Sequence, residues 1–131
     1  MKKLILLLSL STFTNSLIGQ TIDSIEYKRG GGLSGIITSY RYFKKSVLKA
    51  EGIVNLDYVF HKKINKGEWK KIQTSAKQLM QDSANYNQIA NYYTSIIIYS
   101  LDIKKKYTWP AGTKDIPAPL QQLVKQLEQN Q

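Results

Sequence analysis

The chain has 131 residues, no cysteine, 19 lysines and arginines against 9 acidic residues, and a formal net charge of +10. That length holds one domain, and the missing cysteine excludes disulfides, a thiolate nucleophile, a zinc–cysteine site and a lipidated N-terminal cysteine. The domain must therefore be held by its core alone, for which about 110 residues suffice, since domains of roughly 55–65 residues already fold alone.

Residues 1–19 read as a secretory signal peptide. Met1-Lys2-Lys3 is a basic n-region, Leu4 to Leu10 an apolar h-region, and Asn15, Ser16 and Gly19 belong to a more polar tail. The apolar run is far too short for a membrane span, which needs roughly 20 such residues. A buried N-terminal strand or helix is the competing reading. Cleavage near Gly19 would leave a single α+β domain over residues 20–131, exported to the periplasm or secreted.

Without Lys2 and Lys3, 17 basic and 9 acidic residues remain, a net charge of +8. The lysines cluster as Lys44-Lys45, Lys62-Lys63-Lys66, Lys70-Lys71 and Lys104-Lys105-Lys106. Such a field attracts acidic partners and speeds their association. It also serves solvated faces and strand edges that must resist aggregation, and an anionic lipid or glycan would answer it too. Only Arg29 and Arg41 are arginines, which argues against base reading and so against nucleic acid.

Along the chain, residues 21–29 predict a first strand, with Ile25 and Tyr27 on one face and Ser24, Glu26 and Lys28 on the other. The glycine-rich turn Arg29-Gly30-Gly31-Gly32-Leu33-Ser34-Gly35 follows, and a second strand over 35–44 aligns Ile36, Thr38, Tyr40 and Tyr42. Residues 47–62 form the longest alternating run, with Val54, Leu56, Tyr58 and Phe60 on one face and Gly52 marking a bulge or bend. One polar face per strand predicts an antiparallel sheet covered on one side. At Asn65 the period changes. Asn65 and Glu68 fit a capping box, and Trp69, Ile72, Ala76, Leu79 and Met80 fall at helical spacing over roughly 66–84. Residues 92–103, apolar on both faces, predict a central strand, returned by a tight turn near Asp102 into a strand through Tyr107 and Trp109 that Pro110 ends. Pro119 opens a last helix with Leu120, Leu123, Val124 and Leu127 on one stripe. The expected order is β-β-β-α-β-β-α, a two-layer antiparallel sheet of about five strands with one long helix and a C-terminal helix.

No residue pattern selects an active site. His61 is the lone histidine and reads as a solvent-exposed strand residue. Asp23, Glu26, Asp57 and Asp102 are scattered singly, whereas a glycosidase-like pair needs a fixed separation. Ser34 lacks the strand-to-helix elbow of a nucleophile. The glycine turn lacks the Gly-Lys-Ser/Thr ending of a phosphate loop and joins two strands. No cofactor, no metal and no catalysis are expected. Nine tyrosines exceed core needs, and Tyr and Trp favour interfaces. Tyr40, Tyr42, Tyr107 and Trp109 are therefore candidate contacts near the turn, with core packing as the alternative.

The segment Arg29-Gly30-Gly31-Gly32-Leu33-Ser34-Gly35, followed by a second strand, a helix, a hairpin and a helix after a proline, resembles the emfourin-like proteins. These are small inhibitors of protealysin and other thermolysin-like metalloproteases. Small exported proteins of Bacteroidota with a Gly-Gly-Gly turn and a Tyr-x-Trp strand are similar as well. Leu33 stands where the family more often has phenylalanine. The resemblance implies a non-enzymatic protein that binds another protein through Arg29, Gly30, Gly31, Gly32, Leu33, Ser34 and Gly35. An inhibitor-like role is the first expectation, an acidic protein its partner, and a periplasmic immunity or envelope-protective role the alternative. The oligomeric state is left open.

Overall fold

The computed structural model describes residues 21–82, 86–101 and 103–131. The expected signal peptide lies outside them. Among the described residues six strands form one antiparallel sheet: β1 (Ile22–Gly31), β2 (Ile37–Tyr42), β3 (Ser46–Gly52), β4 (Val59–Lys63), β5 (Tyr92–Ser100) and β6 (Ile103–Pro110). Helix α1 (Lys66–Gln81) links β4 to β5, and α2 (Ala118–Gln129) follows β6. The strand order is β4-β3-β2-β1-β5-β6, so the first strand made is an interior one.

The sequence expectation of an α+β domain with a one-side-covered antiparallel sheet stands; its strand count and order need correction. The run over 47–62 is two strands, not one. Gly52 ends β3, Asn55 takes a positive φ of 56°, and β4 begins only at Val59. Asparagine tolerates that left-handed conformation, and Gly52, Asn55 and Asp57 are all turn formers. Val54, Leu56, Tyr58 and Phe60 therefore share no single strand face; Val54 and Leu56 belong to the loop before β4. The ladder slips again between Val47 and Leu48, where His61 is the extra residue opposite them. A bulge of this kind, on a five-residue edge strand, disrupts pairing with other chains.

Register fixes the two faces. Ile25 pairs with Tyr42 and Ile98, and Tyr27 with Tyr40 and Ile96. With Val47, Tyr107 and Trp109 these residues form the layer that meets the helices. From α1 come Trp69, Ile72, Ala76 and Leu79, and from α2 come Leu120, Leu123 and Leu127, all buried. Each such aliphatic side chain contributes about 1.5–3 kcal/mol on burial, which is how a chain without disulfides holds its shape.

The helix ends follow from local chemistry. Asn65 accepts the Glu68 N–H at 2.7 Å, the expected N-cap. At the other end the Asp82 N–H bonds the Leu79 carbonyl as Asp82 caps α1 after Gln81; the expected helix residues 83 and 84 lie outside the described residues. Pro119 occupies the second position of α2, after Pro117 and Ala118, where its missing N–H costs nothing. β5 is interior, as its two apolar faces predict: Ile96 and Ile98 face the helices and Ile97 the opposite side, all three buried.

Candidate functional site

At one end of the sheet β1 and β3 finish while β2, β4 and β5 begin, and the glycine-rich turn projects there. Gly31 still pairs with Tyr92 although its φ is 99°. A Cβ on Gly31 would lie 1.7 Å from the Asn91 carbonyl oxygen, well inside contact distance. Gly32, φ 77°, donates its N–H to that same carbonyl at 2.9 Å, and a Cβ there would meet the Tyr92 ring at 2.1 Å. The backbone contact admits only glycine at Gly31, while at Gly32 the positive φ favours glycine and the exposed Tyr92 ring is free to swing aside. The Gly35 N–H closes the turn on the Gly32 carbonyl at 3.3 Å, leaving Leu33 and Ser34 at the corners. Ser34 Oγ accepts the Ile36 N–H at 3.4 Å. The turn is thus pinned to β5 through its backbone while its side chains face solvent.

Leu33 is 107% exposed, as open as a side chain can be. Ile36 is exposed beside it. Because Ile37 pairs with Gly52, the adjoining loop brings up Ile53 and Val54, 63% and 76% exposed, and Ile53 Cγ2 lies 3.8 Å from where a Gly35 Cβ would stand. Tyr92, also exposed, flanks Gly32. Together they form an apolar rim at the turn end of the sheet. Sequence patterning missed Ile53 and Val54 by placing them within a strand. Two aliphatic residues enclosed by Gly52 and Asn55 were the signal, since turn formers around apolar residues bring them to the surface.

The other candidate residues fall elsewhere. Tyr42, Tyr107 and Trp109 share one sheet face, but it is the face the helices cover, and all three are buried. Tyr42 donates to the Leu127 carbonyl at 2.8 Å and Tyr107 to the Leu79 carbonyl at 3.2 Å. Burial raises both phenols, that of Tyr107 to about 12. These residues tie sheet to helices and offer no contact surface. Tyr40 is half-buried on the same face, edge-on to the exposed His61 with ring centroids 5.6 Å apart, and Lys49 lies over its ring. Arg29 is an anchor: its guanidinium pairs with Glu128 of α2 and lies 5.3 Å from the Tyr27 ring centroid. Tyr27 donates to the same carboxylate at 2.7 Å. The stem of the turn is therefore clamped to both β5 and α2.

The sheet face without helices carries the strongest electrostatic feature. Glu26, 2% exposed, receives Arg41 Nη2 at 2.8 Å and Lys28 Nζ at 2.5 Å, with the Tyr99 hydroxyl at 3.3 Å. Arg41 also lies over the Tyr58 ring, 4.6 Å from its centroid, while Tyr58 hydrogen-bonds Ser39 across 2.7 Å. Burial pushes the Glu26 carboxyl up, yet the two cations outweigh it and hold it below its ordinary value. A carboxylate so committed holds its proton poorly and suits structure better than acid–base work.

Among the described residues no three His, Asp or Glu side chains converge as metal ligands do, and no helix is long and apolar enough to cross a membrane. Comparison with protein-family models gives no match, and comparison with curated protein sequences gives none either.

Proposed function

We propose that this is an exported, non-enzymatic binding protein that engages another protein through the 30–35 turn, in the manner of a protease inhibitor. The observation that carries the reading is Leu33, fully exposed on a turn whose backbone is fixed to β5 and whose stem is fixed to α2. A pre-shaped turn loses little conformational entropy on binding, and a central apolar side chain entering a pocket is the usual anchor of an interface. Ile36, Ile53 and Val54 around it widen the apolar contact. The target class implied by the sequence resemblance is the thermolysin-like metalloproteases, whose substrate cleft the turn would occlude.

The test is a titration of purified protein against a thermolysin-like protease with a fluorogenic peptide substrate. Wild type should inhibit, Leu33→Phe should keep inhibition, and Leu33→Asp should weaken it at least tenfold. Burial of a leucine side chain is worth about 1.5–3 kcal/mol, and a charge in its place adds a desolvation cost. Wild type and both variants should unfold at the same urea concentration. No inhibition by wild type, or equal inhibition by Leu33→Asp, sinks the reading.

A further inference from the structure

The lysines are not where the turn is. The sheet end opposite the turn gathers them from three segments: Lys44 and Lys45 on the β2–β3 turn, Lys62 and Lys63 at the end of β4, and Lys66 and Lys70 in the first turns of α1. The Ile64 N–H bonds the Lys45 carbonyl at 3.1 Å and Ser46 pairs with Lys63, so these segments lie side by side. None of the six lysines forms an ion pair among the described residues, in contrast to Lys28, Arg29, Arg41 and Lys71, which do. The acids at this end are fewer. Among the described residues, Asp23 is exposed on β1, Glu68 is already engaged with Lys71 and Asn130, and Asp82 caps α1 beside Lys105, whose Nζ its carbonyl accepts at 2.8 Å.

Two further features share this end. A groove of about 380 Å³ is lined by Lys44, Lys66 and Lys70 with Thr21, Trp69 and Gln73, and among the described residues no carboxylate lines it. At the β5–β6 connection Leu101 and Ile103 stand 82% and 41% exposed, followed by the exposed Lys104. The β2–β3 and β5–β6 connections close the same end of one sheet, with only the start of β1 between them.

We propose that this end docks onto an anionic lipid surface. The lysines supply the attraction that juxtamembrane basic clusters show toward acidic headgroups, and lysine meets phosphate as a point charge without needing a fixed fork. The acid-free groove accommodates a phosphate group. Leu101 and Ile103 supply aliphatic side chains that enter the headgroup–acyl boundary, a role that a purely polar polyanion would leave empty. The inference uses none of the turn residues and stands apart from the inhibitor-like reading.

The experiment is co-sedimentation with vesicles. The core runs from Ile22 to Leu127, so protein beginning at Gln20 carries every core residue and lacks the apolar N-terminal segment that would bind lipid by itself. It should bind phosphatidylglycerol–phosphatidylcholine vesicles, ignore pure phosphatidylcholine, and release as salt is raised. Each lysine removed should lower partitioning by about fivefold. The combined Lys44→Gln, Lys45→Gln, Lys66→Gln, Lys70→Gln protein should therefore lose more than about a hundredfold. A charge-matched control, Lys77→Gln, Lys106→Gln, Lys114→Gln, Lys125→Gln, should lose far less. Leu101→Ser should weaken binding severalfold and Leu33→Asp should not. Equal losses in the two quadruple variants, binding to neutral vesicles, or a loss with Leu33→Asp would overturn the proposal. So would binding to a DNA oligonucleotide with no vesicle binding, which would assign the lysines to another polyanion.

Discussion

Gly31→Ala tests how the turn is held. Two costs act at this position. A φ of 99° lies beyond the left-handed region that alanine tolerates, and strain of that kind costs about 1–3 kcal/mol. The new methyl would stand 1.7 Å from the Asn91 carbonyl oxygen, so the backbones must part. That also breaks the 2.9 Å bond from the Gly32 N–H to Asn91, worth about 1 kcal/mol. The sum is about 3 kcal/mol. Gly112→Ala is the internal control, because its φ is 81° but nothing lies within 4 Å of the added methyl; strain alone should cost it about 1 kcal/mol. Urea unfolding followed by the fluorescence of the buried Trp69 and Trp109 reads both. The expected gap between the two variants is about 2 kcal/mol. If they unfold within about 0.5 kcal/mol of each other, close approach to Asn91 contributes nothing and the account of the turn fails.

Glu26→Ala should destabilise by about 3 kcal/mol, since it leaves Arg41 and Lys28 beside a sheet face without their carboxylate. The Glu26 carboxyl is held below its ordinary value of 4.5, so its contribution is full above that pH and fades as pH falls through the lower folded value. Urea midpoints for wild type and Glu26→Gln should therefore converge on acidification below that ordinary value of 4.5, and parallel pH profiles would refute the pairing. Asn65→Ala removes the cap on the Glu68 N–H and should cost about 1 kcal/mol by the same measurement, with Asn65→Asp close to wild type. Tyr42→Phe removes one of two donors to the Leu127 carbonyl, which keeps the Asn130 N–H at 3.1 Å, and should cost about 0.5–1.5 kcal/mol. Tyr92→Phe, on the exposed rim, should cost under about 0.5 kcal/mol.

Period and punctuation made most of the framework legible. The 3.6-residue stripe in α1, the Asn65 cap and the Leu120–Leu127 stripe marked both helices, and three isoleucines in a row marked β5 as interior. The break between β3 and β4 was harder. Ile53 through Phe60 alternates like a strand, and that period masked the turn formers Gly52, Asn55 and Asp57, of which Asn55 takes the left-handed conformation that breaks the run. The site was half legible for a related reason. Glycines announced a turn, but whether Arg29 reaches a partner or Glu128 depends on α2, which lies 99 residues away in the chain. The tyrosines showed the same gap: period two puts Tyr40 and Tyr42 on one face, and only the position of the helices says that this face is the covered one. Of the lysines, read as one field, topology gathers six at a single end of the sheet.

The interior place of β1 sets an order of assembly. Its pairing with β2 joins residues close in sequence, as does each step on to β3 and β4, so this meander needs only short loops to close. The other edge of β1 must wait for β5, whose residues lie roughly 70 positions later. Closing so long a loop is slow and forms late. Until then the newly made β1 shows an open strand edge. Glu26 and Lys28 on its outer row place charges along that edge, the kind of protection that keeps an unfinished sheet from recruiting another chain. The buried carboxylate network of the finished protein is thus also the guard of the half-made one.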